Sequence, residues 1–504
     1  MGGGRLVWMA TLAAIVVARS FVFVFVPGSH FDSDQAVTGL MAKHLAELRA
    51  FPVFWYGQTY MLGVEAWLAA PVMALAGATV TALKLPLLAM NVAIALLLFG
   101  SLVDDAGLAP ARAAFASLFF ALAAPITAAH YLTANGGNVE PCLYVLLLWR
   151  LRSRPAWFGL VLGVGFLNRE FTIYGAAALV LLEGVRRTLW TREALTRYAI
   201  AVATAAAVWV VILILRHYSS AAGPGTSTAD LASTLAATNV QQVLERLCVD
   251  VRAIASGVYR LLTVHWPELF GLEPQALTDF GIESTVRQGF PGAAWLLVVV
   301  FGFPILRLLT PRTARPAAIG HRPSDIGRRL SGVDFCAYLV TVAALSTAGY
   351  LAGRCGVIDF FTMRYELLSP LGAAGLAGAY LRAERSRTPV RVWAVCAAAV
   401  FAISIAAHAR LIAEYATHPP VPLKEDLIRA LDARGVRYAY ADYWTSYYVT
   451  FMTRERIVVA SDAIVKVRTH NRLVDAHRAE AIRISRRPCA GGTQLTPAFW
   501  GCGT

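Results

Sequence analysis

The chain has 504 residues, of which 57% are hydrophobic and only 15% are Asp, Glu, Lys or Arg, whereas a soluble domain carries about 25% charged residues. With a mean hydropathy of +0.57, this composition excludes an ordinary soluble enzyme, a disordered chain and a coiled coil, and leaves a polytopic membrane protein. The net charge of +14 reads either as a polyanion-binding surface or as a topology signal, and the positions of the charges decide between them.

In chain order, apolar stretches fall at Leu6–Val26, Leu83–Val103, Ala113–Ala129, Pro141–Trp149, Trp157–Leu182, Ile200–Leu215, Ala293–Leu309, Phe335–Leu351, Leu367–Leu381 and Val392–Ala407. The first is long and lacks a small-residue cleavage site, so it reads as an anchor helix and not a removed signal peptide. The stretch Trp157–Leu182 is interrupted by Asn168-Arg169-Glu170. Each arm has about eleven residues, or roughly 17 Å of helix at 1.5 Å per residue. Arg150, Arg152 and Arg154 precede it, and Arg186, Arg187, Arg192 and Arg197 follow it. Arginine clusters mark cytoplasmic loops, so the chain crosses here an even number of times, as two short helices or as a re-entrant hairpin. Counting two predicts about eleven transmembrane helices, with the N-terminus inside and the C-terminus outside. The remaining inner connections then hold Arg112, the basic run Arg307–Arg329, and Arg382, Arg385, Arg387 and Arg391. Most of the positive charge is thus topology, and no nucleic-acid partner is expected.

The fold predicted is an all-α polytopic membrane protein with a large first outer loop and a small C-terminal α/β outer domain. A transmembrane domain over 1–409 carries outer loops at about 27–80, 130–140 and 218–290, and residues 410–504 form the second domain. The half-apolar run at 60–77 reads as a surface-lying helix, and Leu244, Leu247, Val251 and Ile254 give Val240–Val264 a helical face. In the last domain a helix is expected over Asp426–Ala433, a strand over Val436–Ala441, a helix over Ser446–Thr453 and a strand over Ile457–Ala460. The seven cysteines include no CxxC pair and no Cys/His cluster. Cys489 and Cys502 form a disulfide on an oxidising side or remain two thiols.

The first outer loop opens with "FDSDQAVTGL". A carboxylate at a membrane edge can accept the proton of an attacking hydroxyl; equally, Asp32 or Ser33 can cap a helix starting near Gln35. An acidic motif directly after the first span, the continuation "FPVFWYGQTYMLGVEAWLAAP", the late "RYELLSP" and the tail "ADYWTSYYVTF" resemble the integral-membrane glycosyltransferases of the C-type fold. The similarity is to bacterial relatives of the dolichyl-phosphate-mannose protein mannosyltransferases and the aminoarabinose transferases. It covers most of the chain in layout, but only these short stretches residue by residue.

The resemblance implies a hexosyl- or pentosyltransferase of the bacterial inner membrane, with its C-terminus periplasmic. Its partners are a polyprenyl-phosphate-linked sugar, membrane lipid, and a glycan, lipid or protein acceptor. It places the catalytic base at Asp34. The family's following acid is Gln35 here, which leaves Asp32 to compensate. A leaving lipid phosphate needs fixed cations, and the resemblance puts Arg364, beside Tyr365, in contact with it. Arg19, buried in the first span, is a second candidate and otherwise a snorkelling partner of Asp32. Arg169 binds phosphate or pairs with Glu170, and Lys84 is a weaker candidate. For sugar or acceptor binding the residues are Glu140, His130 and Asn138 in the second outer loop, and Tyr56, Gln58 and Tyr60 in the first, the latter alternatively belt aromatics. Asp442, Tyr443, Trp444 and Tyr447 line an acceptor cleft or pack the tail domain. One His and one carboxylate do not make a metal site, so none is assigned, and use of a divalent cation stays open. The competing functions are a lipid-linked-sugar flippase or transporter, whose site would lie on broken helices near the midplane, and a non-catalytic scaffold.

Overall fold

The computed structural model describes residues 3–58, 61–219, 250–310, 333–354 and 360–503. Five helices are long and apolar enough to cross a bilayer: α1 (Gly3–Phe25), α4 (Val80–Asp104), α10 (Arg192–Tyr218), α14 (Phe335–Arg354) and α16 (Arg387–Thr417). A sixth span is added if α5 (Pro110–Ala121) and α6 (Pro125–Tyr131), bent by 80° at their junction, act as one. The protein is therefore a multi-pass membrane protein; among the described residues five or six helices have the length and composition of full spans, and the eleven expected from sequence include shorter helices. The helices α7 (Glu140–Leu151), α8 (Pro155–Asn168) and α9 (Ile173–Val185) have 12, 14 and 13 residues, short of the 20 or so that a straight crossing needs.

The break expected at Asn168–Glu170 is present. α8 ends at Asn168, Arg169 is extended, and a single 3-10 turn leads into α9. α8 lies against α10 because glycine lets the backbones meet: a Cβ on Gly159 would stand 2.3 Å from the Ala201 carbonyl oxygen. Small residues of this kind bring helices together where lipid supplies no hydrophobic drive.

Between α1 and α4 the chain forms α2 (Ser33–Ala46) and α3 (Val64–Ala76). α3 is the half-apolar run; it buries Glu65, Ala66, Ala69 and Met73 while Leu75 stays exposed. The helix expected over Val240–Val264 is seen from Val251 as α11 (Val251–Arg260); residues 240–249 lie outside the described residues. A short segment, α12 (Trp266–Leu269), and the apolar α13 (Trp295–Leu309) follow, and α15 (Ser369–Ala383) packs along α14.

After α16, which runs on to Thr417, comes the sheet-bearing unit: α17 (Leu423–Ala433), β1 (Tyr438–Ala441), α18 (Tyr443–Met452), β2 (Val458–Ser461), α19 (Arg468–Ala476), β3 (Ile482–Ser485), β4 (Thr493–Thr496) and β5 (Phe499–Cys502). The order across the sheet is β2-β1-β3-β5-β4, with β1 parallel to β2 and β3, and β5 antiparallel to β3 and β4. Leu427, Leu431, Val449, Val459 and Phe499 fill the core under it. All four tail elements expected from sequence are found; β3, β4, β5 and α19 are additional. Cys489 and Cys502 are joined as a disulfide, which closes the tail onto the end of β5. α18 lies against α2, where Phe451 packs on Gly39 and Phe31. This contact ties the tail unit to the first outer loop.

Candidate active site

Asp32 and Asp34 are held by different contacts. Asp32 is the N-cap of α2: its backbone is extended and its carboxylate accepts the Gln35 amide at 2.9 Å. Such a cap contributes about 1 kcal/mol. Asp34, two residues on, points out of the helix and accepts the Tyr443 hydroxyl from the start of α18. Burial pushes the Asp34 carboxyl above the ordinary aspartate range, and neighbouring Asp32 adds to the effect. The Tyr443 hydroxyl, Arg364 and Lys466 pull the other way. Burial and the two aspartates push the Tyr443 phenol far up, so it stays a donor. Ser33 fixes the junction, donating to the Trp444 carbonyl at 2.9 Å and accepting the Tyr448 amide at 3.3 Å.

The cations around Asp34 come from distant parts of the chain. Arg364, in the 3-10 turn Phe360–Glu366, lies over the Tyr365 ring and donates to its hydroxyl at 3.3 Å. Among the described residues it makes no ion pair, and its Nε is buried without a hydrogen-bond partner. Its charge reaches Asp34 and His130. Lys466 stands with Nζ 4.8 Å from the centre of the Trp55 ring, within the field of Asp34. Lys424 lies over Tyr448 at 4.7 Å, in the field of Asp32 and Asp442. Lys84, fully buried, donates to the His30 carbonyl at 2.9 Å and lies in the field of Asp32. Burial, with Lys84 nearby, lowers the His30 imidazole to about 3, so that ring is neutral.

Gln35, which replaces the family acid, has a mechanical part. Its amide donates to the His30 carbonyl at 3.0 Å and accepts the Ala134 amide at 3.4 Å, so it links the first and second outer loops. In the second loop His130 stands 6.5 Å from His30, ring to ring, and Asn138 donates to the His130 carbonyl at 3.2 Å. Gly136 and Gly137 both have left-handed φ, 91° and 88°, and turn their amides onto Glu65 at 2.8 and 3.1 Å. Glu140 is buried beside Glu65, and the nearby cation is Arg169, whose stem packs on Gly137.

Three expectations resolve differently. Arg19 does not meet Asp32: it donates to the Phe120 carbonyl at 2.6 Å and to Asn91 at 2.7 Å between the rings of Phe120 and Tyr131, inside the helix bundle. Its charge is held by a carbonyl and an amide oxygen supplied by α4 and α5, which a linear reading of α1 cannot show. Arg169 makes no ion pair with Glu170 among the described residues, and faces Met61, Phe171 and Glu140 instead. Tyr56 bonds His44 at 2.9 Å, and Gln58 has its side-chain oxygen buried without a partner among the described residues. Tyr60 lies outside the described residues.

Sequence reasoning gave Glu65 no functional part and did not single out Lys424 or Lys466. The Lys466 signal was its place just after the second tail strand, and the Glu65 signal was a carboxylate inside an otherwise apolar run.

An apolar groove of about 440 Å³ opens among α12, α13, α14 and α15, lined by Trp266, Phe270, Phe301, Thr347 and Ser369 among others. Thr347 and Ser369 both donate to Glu366, at 2.9 and 2.8 Å. Two lining residues are thus bonded to Glu366, which lies two residues along the chain from Arg364.

No protein-family model matches the chain, and no curated protein matches it. Among solved structures the chain is similar to the archaeal oligosaccharyltransferase AglB from Archaeoglobus fulgidus, in complex with an inhibitory peptide and a dolichol-phosphate. The TM-score is 0.52 at 11% identity, over 96% of this chain and 69% of that one. It also aligns with ArnT from Cupriavidus metallidurans bound to undecaprenyl phosphate, with a TM-score of 0.47 at 13% identity, over 100% of this chain and 99% of that one. The chain has the C-type fold of membrane glycosyltransferases.

Proposed function

We propose that the protein is a glycosyltransferase that moves a sugar from a polyprenyl-phosphate carrier to an acceptor hydroxyl at the outer face of the membrane. The observation that carries the reading is the setting of Asp34. It is a carboxylate whose ionised form is disfavoured by burial, and it lies in the field of Arg364, a cation without an ion-pair partner among the described residues. The fold agrees with it, since AglB, which shares that fold, was solved in complex with an inhibitory peptide and a dolichol-phosphate. The apolar groove, whose lining residues Thr347 and Ser369 bond Glu366, suits a prenyl chain.

In the reaction proposed, Asp34 accepts the acceptor hydroxyl proton while the oxygen attacks the anomeric carbon from the side opposite the phosphate. The bond from that carbon to the lipid phosphate breaks, and its electron pair leaves on the phosphate oxygen. Arg364 and Lys466 meet the growing charge, and configuration at the anomeric carbon inverts. A raised Asp34 pKa suits the base, because proton transfer is most effective when the catalytic pKa lies near the working pH. Tyr443 orients the carboxylate, and Asp32 holds the helix that carries it. His130, Asn138 and Glu140 frame the far side of the cleft as sugar or acceptor contacts. If the arginines mark inner loops and the membrane is the bacterial inner one that the resemblance implies, the cleft faces the periplasm.

The test is transfer by the purified chain from radiolabelled polyprenyl-phosphate sugars to envelope acceptors. Asp34→Asn is expected to lower turnover by about 10²–10⁴-fold while the variant still inserts and elutes as wild type does. Turnover at the wild-type level would remove Asp34 as the base. Vesicle translocation without transfer would favour a flippase.

A further inference from the structure

The C-terminal end of α2 meets the tail unit through a cluster that the proposed transfer does not use. His44 and His470, each 4% exposed, both direct Nε2 at a single oxygen of Glu455, Oε1, at 2.9 Å. The three ligand-type atoms lie within 4.8 Å of one another. The other carboxylate oxygen, Oε2, is held by Lys43 at 2.5 Å and by Arg49. The carboxylate is thus split, with two cations on one oxygen and two imidazoles on the other.

The backbone places Glu455 at a cost. Arg454 and Glu455 both lie in the left-handed region, at φ 54° and 65°. Neither is glycine, so both conformations persist only because the surroundings hold them. The imidazole tautomers do not oppose metal binding. His44 Nδ1 lies 2.9 Å from the Tyr56 hydroxyl, so a proton moved to Nδ1 keeps a partner there, the arrangement that orients metal-binding histidines. His470 Nδ1 has no partner among the described residues, so moving its proton from Nε2 to Nδ1 breaks no bond on that side.

We infer that His44, Glu455 and His470 bind a divalent transition-metal ion that clamps the first outer helix to the tail unit. Two imidazole nitrogens and one carboxylate oxygen form a zinc donor set with a fourth position for water. An ion about 2.0–2.2 Å from each atom takes the place of the two N–H protons, which move to Nδ1 without changing the charge of either ring. Lys43 and Arg49 remain on Oε2. Their charge weakens the site, so the ion is removable by a chelator.

The test uses the full chain, purified in detergent, stripped with EDTA and titrated with Zn²⁺ against a chromophoric chelator. One zinc per chain is expected, and Co²⁺ in its place should give the visible absorption of a four-coordinate site. His470→Ala and Glu455→Gln should each weaken zinc binding by at least about tenfold. Both should lose the cobalt spectrum, and zinc should no longer raise their melting temperature. Equal zinc uptake by wild type and a monodisperse variant would place the ion elsewhere and overturn the proposal. If neither variant folds, the wild type decides alone. Absence of zinc uptake and of a cobalt spectrum would make the cluster a hydrogen-bonded latch only.

Discussion

Tyr443→Phe removes one hydroxyl from the site and leaves the ring, which packs against Trp444 and Tyr447. That hydroxyl donates to Asp34 and is one of the three influences that favour the ionised carboxylate. A hydrogen bond to a charged group contributes about 1.5–3 kcal/mol, and 1.36 kcal/mol is tenfold in rate or equilibrium. The direction follows from the form of Asp34 that works. A general base acts deprotonated, so activity is present above the pKa of Asp34 and lost below it. This pKa is already raised, and losing the donor raises it further. The acid limb of the rate profile should therefore move to higher pH, with rates on the limb reduced by about tenfold or more. The plateau at high pH should stay within a few-fold of wild type, because the phenol orients Asp34 and takes no proton in the reaction. The assay is initial transfer rate at low donor concentration across a pH series. An acid limb that stays in place or moves to lower pH refutes the reasoning, as does a plateau that falls as far as the limb.

Arg364→Met should lower turnover by about 10²–10³-fold, the usual loss for one fixed group facing a developing negative charge, and Arg364→Lys should recover part of it; inhibition by free polyprenyl phosphate, measured in parallel, should weaken in the same order. Ala373→Phe fills the apolar groove and should raise KM for a long-chain donor while leaving a donor with a truncated prenyl chain unaffected, so equal effects on both donors would detach the groove from donor binding. Ending the chain after Thr417 removes Tyr443 and Lys466 and uncovers the face of α2 on which Phe451 packs; transfer should disappear and the melting temperature should fall, and an active truncated chain would show that the tail is dispensable.

The sequence disclosed the parts whose signal is local. The break at Asn168–Glu170, the tail order of helix, strand, helix and strand, and Asp34 at the mouth of the first span all sit within a few residues of their own evidence. It did not disclose what depends on distant partners. Arg19 read as a phosphate contact or a snorkelling cation because its acceptors, Phe120 and Asn91, lie 101 and 72 residues away. Tyr56 read as a sugar contact or a belt aromatic because its partner, His44, belongs to the preceding helix and faces Glu455, some four hundred residues on. Lys466 had only its place after the second tail strand to mark it; the packing of the tail brings it to Trp55 and into the field of Asp34. The span count is left open for another reason. Hydropathy marks where chain is apolar, but the 12–14 residues of α7, α8 and α9 are paired within a bundle, and apolar character alone does not give the length of a crossing.

The same long-range packing accounts for the form of the site. A carboxylate that must hold a proton reversibly needs partial burial, and a departing lipid phosphate needs cations that do not neutralise that carboxylate beforehand. One short segment cannot meet both demands, because an Asp and an Arg a few residues apart would simply pair. Here α2 supplies Asp34, the 3-10 turn before α15 supplies Arg364, and the loop after β2 supplies Lys466, each held by its own packing. Arg364 rests on the Tyr365 ring and Lys466 on the Trp55 ring, and Asp34 takes its direct hydrogen bond from a neutral phenol. The aromatic rings keep the charges at a distance from which they tune Asp34 without closing an ion pair on it. In the transfer proposed, the negative charge of a phosphate would complete the electrostatics among them.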